Sequence, residues 1–263
     1  MNNTFEAVYK VHYGKLYTLA FRMTGNKEDA EDVLQTSFLN AYKAYDNFRN
    51  DSAISTWLYR IVLNVSKKYA QEARKLPVVA YSEEHHISQA AIYDHINRFG
   101  QVEDKALTNL TRETCLQMFM DCMPSKYRAV YTLRCMLHFS VKETAEILEI
   151  SGSAVKVNLN RARNVIKSHM DGKCSLIQPG AMCDCRSFAK YLLETKRTHI
   201  LLDIDVVKNK ERAATLEFER EMREILDIEA LFNTQIAPRD YSEFLNKIKR
   251  MTKEKHYKLL HYS

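Results

Sequence analysis

The segment 140–167 constrains the fold of this chain most strongly, because it carries the signals of two helices joined by a tight turn. Ser140 and Glu143 have the spacing of a capping box, which marks the start of a helix. The apolar residues that follow recur at helical spacing and predict a buried face of Val141, Ala145 and Leu148. The pattern breaks around 150–152, where Ser151 is a suitable N-cap for the next helix.

The helix after Ser151 combines an apolar stripe with an opposite face that has no acidic residue. The stripe consists of Val155, Leu159, Ala162 and Ile166. The opposite face consists of Ser153, Val157, Asn160 and Asn164, flanked by Lys156, Arg161 and Lys167. Residues 151–170 include four Lys or Arg and no Asp or Glu, which favours a polyanion over a protein neighbour. A solvated surface helix has the same periodicity, but the turn and the missing acids together predict a helix-turn-helix unit that binds the DNA major groove.

The composition predicts an almost all-helical (all-α) protein with two modules. The chain has 263 residues, of which 46% are apolar, and only six glycines and four prolines. Its formal net charge of +6 is modest but unevenly distributed. The sequence has no secretory signal pattern and no apolar run of about 18 residues. We therefore expect a cytoplasmic protein without membrane insertion, whose six cysteines do not form structural disulfides.

Two amphipathic helices are predicted in the first 45 residues. The first covers 5–22 and ends at Gly25, and Asn26 then caps a helix over 27–45. The first turns of this helix are rich in acidic residues, which the helix dipole favours, and capping alone explains them. Its core-facing residues are predicted to be Val33, Leu34, Phe38, Ala41 and Tyr45.

A polar loop at 48–52 precedes a helix over 55–69 that carries aromatic residues and a basic end. Aromatic side chains interleaved with cations can stack on unpaired bases while the cations neutralise phosphate. An aromatic stripe at this spacing is more often part of a core, and for Trp57, the only tryptophan, we favour the core.

Several motifs resemble the extracytoplasmic-function (ECF) sigma factors of bacterial RNA polymerase. DAEDVLQ at 29–35, FRNDSA at 48–53 and TWLYRIVLN at 56–64 are similar to region 2 of that family. MPSKYRAVYTLR at 123–134, followed by the helix-turn-helix and NRAR at 160–163, is similar to region 4. The motifs occur in the order and at the spacing of the family, and they cover about the first 170 residues.

The sequence departs from the family pattern at three positions. Thr36 stands where Glu is usual, and Tyr42 stands where Trp is frequent. Glu149 stands where a glycine commonly closes the turn, and a residue other than glycine resists positive φ.

The resemblance implies two sigma modules joined by a linker, with a helical extension after them. The expected boundaries are 1–75 for region 2, 76–102 for the linker, 103–170 for region 4 and 171–263 for the extension. It implies binding to core RNA polymerase and to promoter DNA, with an anti-sigma factor as a further candidate partner. No catalytic constellation is recognisable, so we expect no enzymatic activity and no required cofactor.

The candidate contact residues follow from the same motifs. The −35 element of the promoter would be read as duplex by Ser153, Lys156, Val157, Asn158, Asn160, Arg161 and Arg163. The −10 element would be held in melted form by Arg49, Asn50, Asp51, Ser52, Ala53, Tyr59, Asn64, Lys67 and Lys68. The polymerase would be contacted by Asp29, Asp32, Gln35, Phe38 and Asn40.

The linker and the extension carry weaker signals. In the linker, a short helix is expected over 90–96, and its three histidines are expected to be solvated. In the extension, Cys174, Cys183 and Cys185 supply three of the four ligands that zinc usually takes, with His169 or His199 as candidate fourth ligand. A thiol pair that oxidises to a disulfide and a set of plain reduced cysteines are the competing interpretations. Apolar stripes after residue 191, at Phe218, Met222 and Ile225 and at Phe244, Leu245 and Ile248, predict helices that pack on the sigma modules.

Two other functional classes remain open at the level of sequence. One is a one-component helix-turn-helix regulator with a C-terminal metal- or thiol-sensing domain, which would bind palindromic operators without polymerase. The other is a metal- or thiol-responsive interaction protein whose tail carries the main activity. Co-purification with core polymerase, followed by run-off transcription, separates both from a sigma factor.

Overall fold

The structure is a computed structural model that describes residues 5–48, 53–69, 73–203, 206–207, 235–236 and 240–253. Within these ranges the chain forms eleven α-helices, a few short 3-10 or π turns, and one antiparallel pair of two-residue strands, β1 (Val206–Val207) and β2 (Gln235–Ile236). The helices are α1 (Phe5–Thr24), α2 (Lys27–Ala44), α3 (Ile54–Tyr69), α4 (Pro77–His85), α5 (Gln89–Asn97), α6 (Lys105–Asp121), α7 (Ser125–Tyr131), α8 (Val141–Leu148), α9 (Gly152–Met170), α10 (Cys185–Glu194) and α11 (Tyr241–Lys253). The predicted all-α class is confirmed, and the strand pair is a small addition that the sequence did not predict.

Helices α1, α2 and α3 pack on one another and form an N-terminal bundle. The start of α2 follows the predicted cap, since the Asn26 side-chain oxygen accepts the Asp29 backbone N–H at 2.8 Å. The predicted apolar face of α2 is buried, with Val33 and Leu34 fully inaccessible. On α1, Leu16 and Leu19 are buried, whereas Val11 is 80% exposed and belongs to the outer face.

Helices α6 to α9 form a second unit, the helix-turn-helix module. Ser140 and Glu143 make both bonds of the capping box, with the Ser140 Oγ accepting at 3.1 Å and the Glu143 carboxylate accepting at 2.7 Å. The buried face of α8 is rotated relative to the predicted one. Thr144 and Ile147 are its most buried residues, whereas the predicted Val141, Ala145 and Leu148 are half-buried. Helix α8 packs against both α3 and α9, so its core face lies between two neighbours rather than against one.

Glu149 ends α8 in the left-handed conformation, with φ of 56° and ψ of 42°. Its backbone N–H reaches the Ala145 carbonyl, and the Ile150 N–H bonds the same carbonyl at 3.1 Å. The turn therefore forms in the geometry that glycine commonly supplies, at the steric cost of a Cβ. The Ser151 Oγ then accepts the Ala154 N–H at 3.1 Å and starts α9 as predicted.

The segment between the two units contains two helices. The predicted short helix is confirmed as α5, capped by Ser88. Helix α4 was not predicted, because none of its residues is buried and it has no clear apolar period. Pro77 at its first position, preset to helical φ, is the local signal that the sequence offered for it.

The N-terminal bundle and the helix-turn-helix module are in direct contact. Arg22 of α1 forms a buried ion pair with Glu113 of α6 at 2.6 Å. Arg128 of α7 donates from Nη1 to the Met23 carbonyl at 2.8 Å. The side chains of Arg22 and Arg128 are almost fully inaccessible, so the contact is a desolvated, hydrogen-bonded interface.

The described parts of the extension pack on both units. Helix α10 lies against α5 and α6, and Arg186 bonds the Val102 carbonyl at 3.0 Å. Helix α11 lies on the N-terminal bundle, where Phe244 and Ile248 are buried. The predicted stripe at Phe218, Met222 and Ile225 falls outside the described residues. None of the described helices is long and apolar enough to cross a membrane.

Candidate nucleic-acid interface

Helix α9 presents the polar surface that its periodicity predicts. Val155, Leu159, Ala162 and Ile166 are buried in the core of the helix-turn-helix module, which fixes the rotation of the helix. The residues on the exposed side are Ser153, Lys156, Val157, Asn160, Arg161 and Asn164. Asn158 and Arg163 are half-buried at the flanks. No acidic residue occurs in α9, so the exposed face is basic and polar along its length.

Two side chains on this face, Val157 and Arg161, have distinct surroundings. Val157 is 49% exposed on an otherwise polar surface, and an exposed aliphatic group there suits the methyl group of thymine. Arg161 donates from Nη1 to the hydroxyl of Tyr127 of α7 at 3.3 Å, which restricts the position of the guanidinium. Lys156 and Arg161 are both exposed, and the hydrogen bond to Tyr127 partly preorganises Arg161.

The end of α3 presents a second basic surface. Asn64, Lys67 and Lys68 are exposed, and Lys67 Nζ lies 3.1 Å from the Asn64 side-chain oxygen. Ala53 is exposed at the start of the helix. Arg49, Asn50, Asp51 and Ser52 lie outside the described residues.

Two aromatic residues of α3, Tyr59 and Trp57, pack against other aromatic rings. Tyr59, which we predicted to contact the −10 element, is only 1% exposed, and its ring lies edge-on to Phe139 at 4.7 Å. Burial also raises the pKa of its hydroxyl. Tyr59 cannot reach DNA in this arrangement, because the helix-turn-helix module covers it. Trp57 is half-buried against Phe48 at 5.0 Å between ring centres, as expected for a residue at the edge of the core.

The candidate polymerase residues divide into an exposed and a buried set. Asp32 and Asn40 are exposed on the outer face of α2, and Asp29 is half-buried beside its cap partner Asn26. Gln35 and Phe38 are buried, at 7% and 4% exposure. Neither side chain is available for contact in this arrangement. Phe38 occupies the core position predicted for it, and its ring packs among aromatic rings that include Phe244 of α11 at 5.7 Å.

A contact that the sequence did not predict joins α3 to the helix-turn-helix turn. Arg60 Nη1 lies 3.1 Å from the Glu149 carboxylate, and Arg60 Nη2 donates to the Glu146 carbonyl at 2.7 Å. Arg60 thus bridges the two candidate DNA-binding units at the turn that positions α9. The distance of 86 residues between Arg60 and Glu146 leaves no local signal for it.

The cysteines of the extension gather around one cavity. The Cys174 and Cys185 thiols share a hydrogen bond, which lowers the pKa of Cys174 and raises that of Cys185. The Cys183 N–H bonds the Lys173 carbonyl at 2.7 Å, and the Ser175 N–H bonds the Cys183 carbonyl at 3.0 Å, so the two halves of the segment form a tight loop. All three cysteines, with Cys115 of α6, line a cavity of about 600 Å³.

These thiols are not arranged as a metal centre. Among the residues that the structure describes, no group of three or more His, Cys, Asp or Glu side chains is placed to hold a metal ion. His169 stacks on Phe119 at 5.6 Å. The structure therefore does not support the predicted zinc site at Cys174, Cys183 and Cys185. Cys115 joins the cluster through the packing of α6, and no spacing in the sequence reveals that.

The structure thus has two basic helix faces, one on the second helix of a helix-turn-helix and one at the end of α3, and both are suited to a nucleic-acid partner. The family models for Sigma-70 region 2 and Sigma-70 region 4 match residues 8–76 and 113–165. The chain is 34% identical to the ECF RNA polymerase sigma-E factor of Salmonella typhimurium over 142 residues, which are 52% of this chain and 72% of that protein. It is 29% identical to the ECF RNA polymerase sigma factor SigW of Bacillus subtilis over 168 residues, which are 64% of this chain and 89% of that protein.

Among solved structures, the chain is similar to the sigma factor RpoE of Bartonella quintana in a co-crystal structure with the anti-sigma factor NepR. The identity is 16%, the match covers 62% of this chain and 94% of that one, and the TM-score is 0.41. The sequence relationships establish the family, and the chain belongs to the ECF sigma factors of RNA polymerase. It is a transcription initiation factor that acts with core RNA polymerase on promoter DNA.

Proposed function

We propose that this sigma factor reads the −35 element with the exposed face of α9. The observation that carries the proposal is the acid-free surface of Ser153, Lys156, Val157, Asn160 and Arg161 on a helix whose opposite stripe is fully packed. Arg, Lys and Asn side chains that enter the major groove distinguish bases by hydrogen bonds to the base edges. Asn158 and Arg163, at the flanks, are in position to contact phosphate, which adds affinity without sequence information.

The end of α3 is the proposed site for the −10 element in single-stranded form. Support comes from Asn64, Lys67 and Lys68, which are exposed together on one helical turn. Cations at this position neutralise the backbone of the displaced strand. Capture of an extruded base costs a few kcal/mol of unstacking, which the polymerase complex offsets with its other contacts.

The outer face of α2 is the proposed polymerase contact. Asp32 and Asn40 are its exposed members, with Asp29 beside them. The proposal includes a cytoplasmic location, where the polymerase works, and a role without enzymatic activity. The proposed module boundaries are 1–75, 76–102, 103–170 and 171–263, and an anti-sigma partner is a further candidate.

The −35 assignment is tested with holoenzyme assembled from core polymerase and variant factor. Lys156→Ala and Arg161→Ala should each weaken binding to a promoter by about 1–3 kcal/mol where the side chain reads a base edge, and much less on a scrambled −35 sequence. Arg163→Ala should weaken both duplexes alike and make the salt dependence shallower. Lys105→Ala, an exposed lysine at the start of α6, is the matched control. Unchanged binding by the Lys156 and Arg161 variants would show that α9 is not the reading helix.

The −10 assignment is tested by promoter opening. A factor with Asn64, Lys67 and Lys68 all replaced by alanine should bind the promoter but fail to open it, as read by permanganate reactivity of unpaired thymines. Normal opening by this triple variant would refute the role of the α3 end.

A further inference from the structure

The apolar face of α11 lies on the N-terminal bundle through a cluster of aromatic rings. The Phe244 ring is 5.0 Å from that of Tyr13, 5.7 Å from that of Phe38 and 6.3 Å from that of Tyr9, which it parallels within 4°. Tyr241 adds a hydrogen bond from its hydroxyl to the Glu6 carbonyl at 2.9 Å. These contacts join residues more than 200 positions apart and bury both Phe244 and Ile248.

The charges of the two partners are complementary. Helix α11 carries four basic residues and one acidic residue, Glu243. The first turns of α2 carry four acidic residues, Glu28, Asp29, Glu31 and Asp32. Lys247, Arg250 and the acidic Glu243 of α11 line a polar groove of about 370 Å³ with Glu31 and Gln35 of α2. The net basic charge of α11 beside the acidic start of α2 favours the seating of α11 on this surface.

The surface that α11 occupies on α2 adjoins the proposed polymerase contact and includes Gln35 and Phe38, which the family resemblance assigns to polymerase binding. Gln35 and Phe38 face α11, whereas Asp32 and Asn40 remain exposed on the same helix. A polymerase that contacts all of these positions cannot do so while α11 is seated. We propose that α11 is an internal cap on the polymerase-docking face of α2, which must leave that face when core polymerase binds; this inference rests on the proposed function of α2.

The cap acts on affinity through the fraction of uncapped factor. If only the uncapped form binds, the apparent dissociation constant is the intrinsic value divided by the uncapped fraction. Weakening the aromatic seam raises that fraction and tightens binding, up to the intrinsic affinity. A side chain that merely stabilises the fold has the opposite effect, because its loss lowers the amount of competent protein.

The first test measures affinity for core polymerase with the full chain carrying Phe244→Ala and Ile248→Ala together. The variant should bind about tenfold tighter or more, because the capped fraction falls. Leu193→Ala is the matched control, since Leu193 is a 51% exposed leucine on α10, and it should bind as wild type. Circular dichroism and thermal melting verify that the variants are folded. Equal or weaker binding by a folded Phe244/Ile248 variant overturns the cap.

The second test needs no substitution and follows amide hydrogen exchange in the free factor and in the complex with core polymerase. Exchange in α11 should become faster in the complex, while exchange in α2 should slow. Slow exchange retained in α11 within the complex overturns the cap.

A third variant separates the cap from the proposed function beneath it. Asp32→Lys should weaken polymerase binding in both the wild-type and the Phe244→Ala/Ile248→Ala background, because Asp32 is exposed beside the cap. If it weakens binding while the cap variant binds as wild type, the cap fails and the docking face stands. If Asp32→Lys has no effect in either background, the docking face itself is refuted, and the cap is refuted with it.

Discussion

The ion pair between Arg22 and Glu113 joins the two sigma modules, and its contribution to stability can be measured by substitution. The Arg22 Nη2 and Glu113 Oε2 atoms are 2.6 Å apart, and the two side chains are 0% and 3% exposed. Glu113→Ala leaves the guanidinium buried without this carboxylate, although the Gln117 side-chain oxygen still lies 3.3 Å from Nη1. Removal of one partner from a buried pair costs about 3–5 kcal/mol, because the other charge stays desolvated. Since whole domains are stable by about 5–15 kcal/mol, this loss is large enough to measure reliably.

The assay is urea unfolding followed by circular dichroism, with the free energy of unfolding taken by linear extrapolation. The double variant Arg22→Met/Glu113→Leu should recover most of the loss, because a buried ion pair and a packed apolar pair are often close in stability. The matched control is Asp94→Ala, which breaks a pair with Arg98 at the same 2.6 Å distance but with side chains 65% and 75% exposed. It should cost less than about 1 kcal/mol. A cost for Glu113→Ala as small as that of the control, or a double variant as unstable as the sum of the singles, would refute the reasoning.

Three further outcomes follow from single residues. Glu149→Gly should raise the free energy of unfolding by about 0.5–1 kcal/mol in the same urea assay, since glycine relieves the left-handed strain but adds unfolded-state entropy and loses the exposed pair with Arg60; a loss of stability would mean that the Arg60 contact outweighs the strain. Tyr59→Phe should stabilise the protein by about 1–2 kcal/mol, because the buried Tyr59 hydroxyl has no hydrogen-bond partner among the described residues; destabilisation would contradict this. Cys174 should be alkylated by iodoacetamide at a lower pH than Cys115. The hydrogen bond from Cys185 lowers the pKa of Cys174, whereas burial raises the pKa of Cys115 to about 12. Peptide mass mapping across pH gives the order of alkylation, and the reverse order would refute this prediction.

The features that the sequence predicted correctly are those with local causes. The capping box at Ser140 and Glu143, the N-caps at Asn26 and Ser151, and the buried stripe of α9 each depend on residues within a few turns of one another. Helical periodicity reports such features directly, because the rotation of the helix sets which residues share a face. The basic face of α9 was therefore predictable residue by residue.

The features that the sequence missed depend on partners far along the chain. Tyr59 is buried against Phe139, which belongs to the helix-turn-helix module. Cys115 joins the cysteine cluster only because α6 packs beside the extension. An aromatic residue that stacks on a base and one that a second module covers both lie on the outer face of their own helix bundle. The sequence pattern of that helix therefore cannot tell them apart.

The contact between α3 and the turn before α9 has a consequence for how this factor engages DNA. The names of the two promoter elements imply a separation of about 25 base pairs, or about 85 Å of B-DNA at roughly 3.4 Å per base pair. In the structure, Arg60 of α3 lies 3.1 Å from Glu149, so the two reading surfaces cannot span that distance. The 35 residues between Tyr69 and Lys105 would reach about 115 Å if extended. The helices in that segment, α4 and α5, bury only Ile96, so separation of the modules can proceed with little loss of core from the linker. The described arrangement is therefore a closed form of the factor, and simultaneous contact with both promoter elements requires the Arg60 and Arg22 contacts to break.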